Sequence, residues 1–201
     1  MIPRNKSILV AVSVLAFAAR TASAGLIDFE AYPSDHFIDG LNLGGVTLTN
    51  PYAQHVTVYD NEYGIGYHSA TKAFSSNDFM RFESVRLAAV FDSPQSFVRL
   101  WGGNEGLGYV YGWLLEAFDA PVGGNSLGLV QTGPWVGAPY LPLEITAPHI
   151  MRIEFGLQNQ NLGSGMGFDD LEFSPEPAGV FALVAGVMLF RSRRRTVRHA
   201  S

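Results

Sequence analysis

The sequence predicts an all-β fold, an antiparallel β-sandwich or jelly roll, over residues 25–174. Apolar and β-branched runs of four to eight residues recur along this stretch, separated by clusters of Gly, Asn, Asp and Pro. Such runs are typical of strands joined by tight turns. No part of the stretch repeats apolar residues with a helical period over three turns. About nine strands at this spacing indicate a single sandwich domain.

The predicted strands follow one another with turn residues between them. Their ranges are 45–49, 55–59, 85–91, 96–101, 109–118, 126–132, 141–146, 151–155 and 167–173. Both faces of 109–118 are rich in apolar side chains, which indicates a central strand or an aromatic face used for binding. Residues 120–125 have turn chemistry at nearly every position and predict a hairpin before 126–132.

Residues 1–24 have the pattern of a secretory signal peptide. Arg4 and Lys6 form a basic start, and residues 8–19 form an apolar stretch. Ala22 and Ala24 supply the small residues that signal peptidase requires. We therefore expect export and cleavage after Ala24 by signal peptidase. The alternative, an uncleaved membrane anchor, is disfavoured because the apolar stretch is short.

Residues 175–201 combine a short motif, an apolar run and a basic cluster. The motif is Pro175-Glu176-Pro177, and the apolar run covers 178–190. As a helix this run extends about 20 Å, whereas a comfortable membrane span needs about 20 residues. The basic cluster comprises Arg191, Arg193, Arg194, Arg195 and Arg198. Arginines after an apolar run favour an orientation with the preceding domain outside the cytoplasm.

This tail resembles the PEP-CTERM sorting signal of bacterial surface and matrix proteins, because the motif, the apolar run and the basic end all match. Segments 27–30, 115–119 and 167–171 are similar to strands of the sandwich domains that commonly precede such tails. The resemblance implies a Gram-negative exporter whose exosortase, an integral-membrane cysteine protease, recognises the Pro-Glu-Pro motif. It also implies an intermediate anchored in the inner membrane and then delivered to the cell surface or an exopolysaccharide matrix.

The central domain is strongly acidic once the two termini are set aside. Residues 25–174 contain 17 Asp and Glu and five Lys and Arg, which gives a formal net charge of −12. Phosphate backbones need clustered Lys and Arg, so nucleic acid is excluded as a partner. The chain has no cysteine, which excludes disulfides and thiolate metal sites.

The motifs of catalysis are weak, and we expect that the protein is not an enzyme. Residues 124–128 match the Gly-x-Ser-x-Gly string of serine hydrolases around Ser126, but that motif needs a helix after the serine. Here strand-like residues follow. His149 precedes Asp169 and Asp170, whereas the hydrolase order is acid and then histidine. A glycan-active enzyme with two paired acids is the distant alternative.

Acids near the first and last strands are candidate ligands of a structural calcium ion. Asp28 and Glu30 belong to the early segment, and Asp169 and Asp170 belong to the closing one. Their hard oxygen ligands suit Ca²⁺, and the first and last strands are expected neighbours. Successive side chains on a strand point to opposite faces, so only one of the two adjacent aspartates should enter this site. The alternative is that the acids cap turns and face solvent.

Tryptophans and tyrosines form a second candidate site, a carbohydrate-binding platform. Aromatic rings stack on sugar faces. Trp101 and Trp135 lie in segments of loop composition, where binding side chains are common, whereas Trp113 is predicted to lie mid-strand in the core. Tyr109, Tyr111 and Tyr140 are the other candidates. The sequence therefore predicts a surface or matrix protein associated with exopolysaccharide, and the alternative is a carbohydrate-binding module of the cell surface.

Overall fold

The computed structural model of the protein describes residues 24–50, 56–60, 68–69, 71–76, 86–104, 110–136, 140–158 and 166–176. Within these residues every regular element is a β-strand. The strands are β1 (Gly25–Ile27), β2 (His36–Phe37), β3 (Val46–Thr49), β4 (Val56–Asp60), β5 (Lys72–Ser76), β6 (Leu87–Asn104), β7 (Val110–Tyr111), β8 (Trp113–Phe118), β9 (Ser126–Gln131), β10 (Trp135–Val136), β11 (Leu141–Leu157) and β12 (Met166–Pro175).

The strands pair antiparallel in the order β2-β4-β5-β12-β6-β11-β8-β9, with β1 beside β12 and β3 beside β6. The pairings divide this continuous order into two layers. The first layer contains β1, β2, β4, β5, β12, the second half of β6 and the first half of β11. The second layer contains β3, the first half of β6, the second half of β11, β8 and β9. The fold is therefore an antiparallel β-sandwich, as the sequence predicts.

β6 and β11 belong to both layers because each strand pairs with different neighbours along its two halves, and β6 also changes its inward face near the middle. In the first half of β6, Ala89 and Phe91 are buried. In the second half Val98 and Leu100 are buried, so the inward positions change from odd to even residue numbers. The pairing of β11 with β6 is irregular over residues 146–152. Such bulges bend a strand, and here they carry both strands from one layer into the other.

Aromatic side chains fill the space between the layers. Phe168 of the first layer lies 4.8 Å from Phe155 and 5.6 Å from Trp113 of the second layer, measured between ring centroids. Further along, Phe91 of the second layer lies 5.4 Å from Phe173 of the first. Each large apolar side chain that is fully buried contributes about 1.5–3 kcal/mol. These contacts hold the two layers face to face.

Two pairs of predicted strands are continuous in the structure, and one predicted strand is divided. β6 joins the predicted ranges 85–91 and 96–101, and β11 joins 141–146 and 151–155. Turn residues in the bends suggested breaks, but the ladders continue through them. The predicted range 109–118 is instead interrupted at Gly112, where a Cβ atom would lie 2.6 Å from the Gln158 side chain.

The loops expected around Trp101 and Trp135 are strands, so that expectation is wrong. Trp101 belongs to β6, which continues to Asn104, and Trp135 begins β10. Gly102 suggested a loop, but a glycine is needed there because the Trp113 ring packs against its backbone. A Cβ atom there would approach the Trp113 ring to 2.8 Å. The strands β2, β5 and β10 were not predicted. β2 and β10 contain two residues each, which is too few to show a period.

Ala24–Pro175 form one compact unit. The predicted signal helix in 1–24 and the predicted transmembrane helix in 178–190 lie outside the described residues. In the described part of the chain no helix is long and apolar enough to cross a membrane.

Candidate functional site

The acids and the tryptophan singled out in the sequence come together on the outer side of the first layer. β1 pairs with β12, and β12 pairs with β6. Asp169 is paired with Trp101, the next pair joins Leu171 to Leu100, and Asp170 is the extra residue between them. Its φ of 40° is in the left-handed region. This part of the structure brings together His68, Ser69, Trp101, Asp169 and Asp170.

Asp169 is fully buried and fixes residue 69 against β12. Its carboxylate accepts hydrogen bonds from the Ser69 N–H at 2.7 Å and from the Ser69 hydroxyl at 2.9 Å. It also accepts the N–H of Asp170 at 2.8 Å. Burial raises the pKa of Asp169 to about 6, and the neighbouring Asp170 adds to the rise, although the hydrogen bonds from Ser69 oppose it. A carboxyl group of this kind changes its charge near neutral pH.

Asp170 contacts His68, the residue that precedes Ser69. Its Oδ2 lies 2.5 Å from Nδ1 of His68. The imidazole of His68 stacks on the Trp101 indole, with ring centroids 3.4 Å apart and planes inclined by 12°. The bulge explains why both aspartates meet residues 68–69. The expectation that they point to opposite faces is therefore wrong at this position.

Glu30 fixes the start of β5. Its carboxylate accepts hydrogen bonds from the N–H groups of Thr71 and Lys72, both at 2.8 Å, and from the Thr71 hydroxyl at 2.9 Å. Burial alone would raise the pKa of Glu30, but these hydrogen bonds together outweigh it and lower the pKa. Asp28 acts locally, since its Oδ1 accepts the N–H of Glu30 at 3.2 Å.

The four acids proposed as calcium ligands lie just after β1 and within β12, but hydrogen bonds occupy most of their oxygens. Glu30 and Asp169 accept N–H and hydroxyl groups. Asp170 Oδ1 is buried without a hydrogen-bond partner. Among the residues that the structure describes, no group of three or more His, Asp or Glu is arranged to hold a metal ion. Calcium binding stays a prediction.

The aromatic candidates separate into core residues and a ribbon. Trp113 is fully buried and Tyr140 is 3% exposed, so both belong to the core, as predicted for Trp113. Trp101 is half-buried, and His68 covers one face of its indole. β7 and β10 form a separate two-stranded ribbon in which Trp135 and Tyr111 are directly paired. Tyr109 lies outside the described residues.

The ribbon and Trp101 lie at the same end of the sandwich. Tyr111 precedes Trp113 by two residues, and Trp101 precedes Gly102 by one. Gly102 lies directly beneath the Trp113 ring, since a Cβ atom there would meet that ring at 2.8 Å. The backbone therefore brings β7 and the end of β6 together across the two layers.

The geometry of a serine hydrolase is not formed around Ser126. This residue begins β9 and is paired with Phe118 of β8. The two preceding glycines, Gly123 and Gly124, have φ values of 64° and 86° and make a hairpin turn. A hydrolase nucleophile requires a strand before the serine and a helix after it. Ser126 is therefore an ordinary residue of a hairpin.

The predicted sorting motif begins inside the folded domain. Pro175 is the last residue of β12 and is paired with Gln95. The Ser96 hydroxyl donates to the carbonyl of Ser174 at 3.2 Å and to that of Pro175 at 3.3 Å. Of the other terminal residues singled out in the sequence, the structure describes Ala24 and Glu176. The residues that lie outside the described part of the chain are Ala22, Pro177, Arg191, Arg193, Arg194 and Arg195.

No sequence signal marks His68 or Ser69 as site residues. His68 is separated from Asp170 by 102 residues, and no motif links the two segments. The four histidines of the domain have no metal-binding spacing. Only the pairing of distant strands brings His68 to the aspartates.

No protein-family model and no curated protein matches this chain. Among solved structures, the K1 cleaved adhesin domain of Lys-gingipain from Porphyromonas gingivalis W83 has a TM-score of 0.54 and 11% identity, covering 77% of this chain and 99% of that one. The K2 cleaved adhesin domain of Lys-gingipain has the same score and identity, with 76% and 98% covered. TmCBM61 in complex with beta-1,4-galactotriose has a TM-score of 0.44 and 16% identity, covering 75% of this chain and 99% of that one.

A TM-score below 0.5 is too low to support an argument from the third structure. The two adhesin domains have the same fold as this chain, and at 11% identity the likeness concerns the fold alone. The chain is thus a β-sandwich protein of the architecture that those domains share.

Proposed function

We propose that this chain is a surface or matrix protein without catalytic activity, and that its sandwich domain binds polysaccharide. The observation that carries the proposal is the ribbon of β7 and β10, which pairs Trp135 directly with Tyr111. Directly paired residues of an antiparallel ribbon share one of its faces, and sugar rings stack on aromatic side chains. The turn around Ser126 supports the absence of hydrolase chemistry.

Trp101 is the second candidate for contact with the glycan. It lies at the same end of the domain as the ribbon, but His68 already stacks on one face of its indole. A sugar could therefore use only the opposite face or the ring edge. We expect Trp135 and Tyr111 to contribute more than Trp101.

The charge of the domain narrows the class of polysaccharide. Residues 25–174 carry a formal net charge of −12. A surface of this sign repels uronic acids and sulfated sugars and attracts neutral or basic chains. The proposal therefore concerns a neutral or basic exopolysaccharide.

Affinity electrophoresis of the full chain through gels that contain the host's own exopolysaccharide tests this proposal. We expect the polysaccharide to slow the migration of the protein. Trp135→Ala or Tyr111→Ala should weaken binding at least tenfold, which corresponds to about 1.4 kcal/mol.

Phe37→Ala is the matched control, because Phe37 is an aromatic residue of β2 that is 50% exposed. It should leave the retardation unchanged. Free migration of the unaltered protein would reject polysaccharide binding, and equal retardation of all variants would reject the ribbon as its site.

We also propose that residues 175–201 act as the sorting signal and that an exosortase recognises Pro175-Glu176-Pro177. The resemblance described above supports this step. On this proposal the domain is exported after signal peptidase cleavage, is held at the inner membrane by the apolar run and is then delivered to the surface or matrix.

A further inference from the structure

β9 presents an open edge of the second layer. Among the described strands it pairs only with β8. The Thr132 N–H donates to the Trp113 carbonyl at 2.9 Å. Bonded and non-bonded pairs alternate along an antiparallel ladder, so Val130 bonds to β8, whereas the N–H and C=O groups of Leu129 and Gln131 point away from it. This edge can therefore accept another strand.

The edge has few of the features that prevent strands from pairing between molecules. Natural edge strands are protected by lysine, inward-pointing charges, proline or a bulge. β9 reads Ser-Leu-Gly-Leu-Val-Gln and contains no charged residue and no proline. Its only register shift against β8 lies at the hairpin end, beside Phe118. Leu129, in the middle of the strand, is 52% exposed.

The distribution of charge indicates which molecule fits this edge. No Asp, Glu, Lys, Arg or His occurs between Asp119 and Glu144, although the domain carries a formal net charge of −12. Two copies of so acidic a domain repel each other over most of their surface. Along β9 they can approach without bringing like charges together.

We propose that two copies of this chain associate by antiparallel pairing of β9 with β9, with the two-fold axis at Leu129. Two identical strands satisfy two-fold symmetry when they pair antiparallel, and two-fold dimers are the commonest oligomers. The second layers of the two copies then form one continuous sheet. The outward N–H and C=O groups of Leu129 are satisfied by Leu129 of the partner subunit.

Sedimentation of the full chain, in a detergent that shields the apolar terminal segments, measures the mass of the particle. We expect a dimer. Leu129→Lys places a charge at the two-fold axis, as natural edge strands do, and should give a monomer. Val122→Lys is the matched control, because Val122 is 88% exposed in the hairpin turn and lies off the strand; it should remain a dimer. Circular dichroism checks that both variants fold.

Crosslinking supplies a second measurement that does not depend on disrupting the dimer. The chain has no cysteine, so a single introduced thiol reports one position. Residues in a bonded antiparallel pair lie about 5.5 Å apart at Cα, within the range that a disulfide spans. Leu129→Cys should form a covalent dimer on mild oxidation, and Val122→Cys should not.

Three results would overturn this proposal. One is a monomer for the unaltered chain. Another is a dimer that persists in Leu129→Lys, because a different surface would then hold it. The third is equal crosslinking of Leu129→Cys and Val122→Cys. A monomeric chain that pairs through β9 with a foreign strand would assign the edge to another partner and would also reject the dimer.

Discussion

At the scale of single residues, Asp169 couples the stability of the domain to pH. Its side chain is fully buried. Burial raises its pKa from 3.8 to about 6. A group whose pKa is higher in the folded state stabilises the fold at low pH, and this contribution is lost as the pH rises through the folded value. Ionised Asp169 therefore weakens the domain at neutral pH.

Asp169→Asn should remove this pH dependence. Asparagine keeps an oxygen that accepts the Ser69 N–H and carries no charge at any pH. Between pH 7.5 and pH 5 the unaltered protein should gain about 1.4 kcal/mol of free energy of unfolding from this residue. The variant should lack that gain. Urea unfolding of the full chain at the two pH values measures both.

Asp35→Asn is a suitable control, because Asp35 is exposed and asparagine tolerates its positive φ of 61°. The unaltered protein and both variants all contain His68, Asp170 and Glu30. A difference between these proteins in how the free energy of unfolding changes with pH therefore reports Asp169. If Asp169→Asn retains the slope of the unaltered protein, the pKa of Asp169 is not raised.

At the scale of elements, the two bent strands form the sandwich. β6 and β11 exchange partners along their length and connect the two layers without a loop. The two layers also approach closely at a position without a side chain. Gly102 is such a position, because Trp113 occupies the space of its Cβ atom. The sandwich depends on this close approach of β6 and β8.

Gly102→Ala should lower the free energy of unfolding by about 1–3 kcal/mol, the usual cost of overpacking a core. The added methyl group would lie 2.8 Å from the ring of Trp113, which is fully buried. In the control Gly133→Ala nothing lies within 4 Å of the new methyl group, and a change within about 0.5 kcal/mol is expected. Chemical denaturation compares the two. Equal stability would show that the layers separate easily at this point.

Calcium binding by the acids near β1 and β12 can be tested through the stability of the domain. If a calcium ion joins the acids of these strands, chelation should lower the melting temperature of the full chain, and added calcium should restore it. Asp170→Asn should reduce that response, because the substitution removes one charged ligand. An unchanged melting temperature in chelator would reject calcium and leave the hydrogen bonds of Glu30 and Asp169 to hold these strands.

At the scale of the whole molecule, the folded domain extends into the proposed sorting motif. Pro175 is part of β12, and the Ser96 hydroxyl donates to its carbonyl. Glu176, the middle residue of the predicted motif, therefore follows the sheet directly. A protease that recognises the motif would work close to the surface of the domain.

Replacing Glu176 and Pro177 by alanine should prevent processing and leave the protein in the membrane fraction of its host. The unaltered protein should be released to the surface or matrix. Pro142→Ala is the control, since Pro142 is an exposed proline of β11 far from the motif in sequence. Immunoblots of separated fractions measure the distribution. Release of the double variant would reject recognition of the Pro-Glu-Pro motif.

Local patterns predicted most strands and missed how they connect. Apolar and β-branched runs bounded by turn residues identified β3, β8 and β9. The mid-strand position of Trp113 predicted that it lies in the core, which is confirmed. Turn residues in the bends of β6 and β11 predicted breaks that the structure does not have. Bends with continuous ladders and true loops share the same residue types, so local composition does not distinguish them.

The sequence by itself determined the fold class, because the period of apolar residues is a local property that selects strands over helices. It also determined the acidity of the domain and the absence of cysteine, since both are counts. Only the tertiary structure decided that His68 lies on Trp101 and against Asp170, that Gly102 lies beneath Trp113, and that β9 is an edge. Each of these depends on which distant strands pair, and that choice follows from burying the whole core at once rather than from any local run of residues.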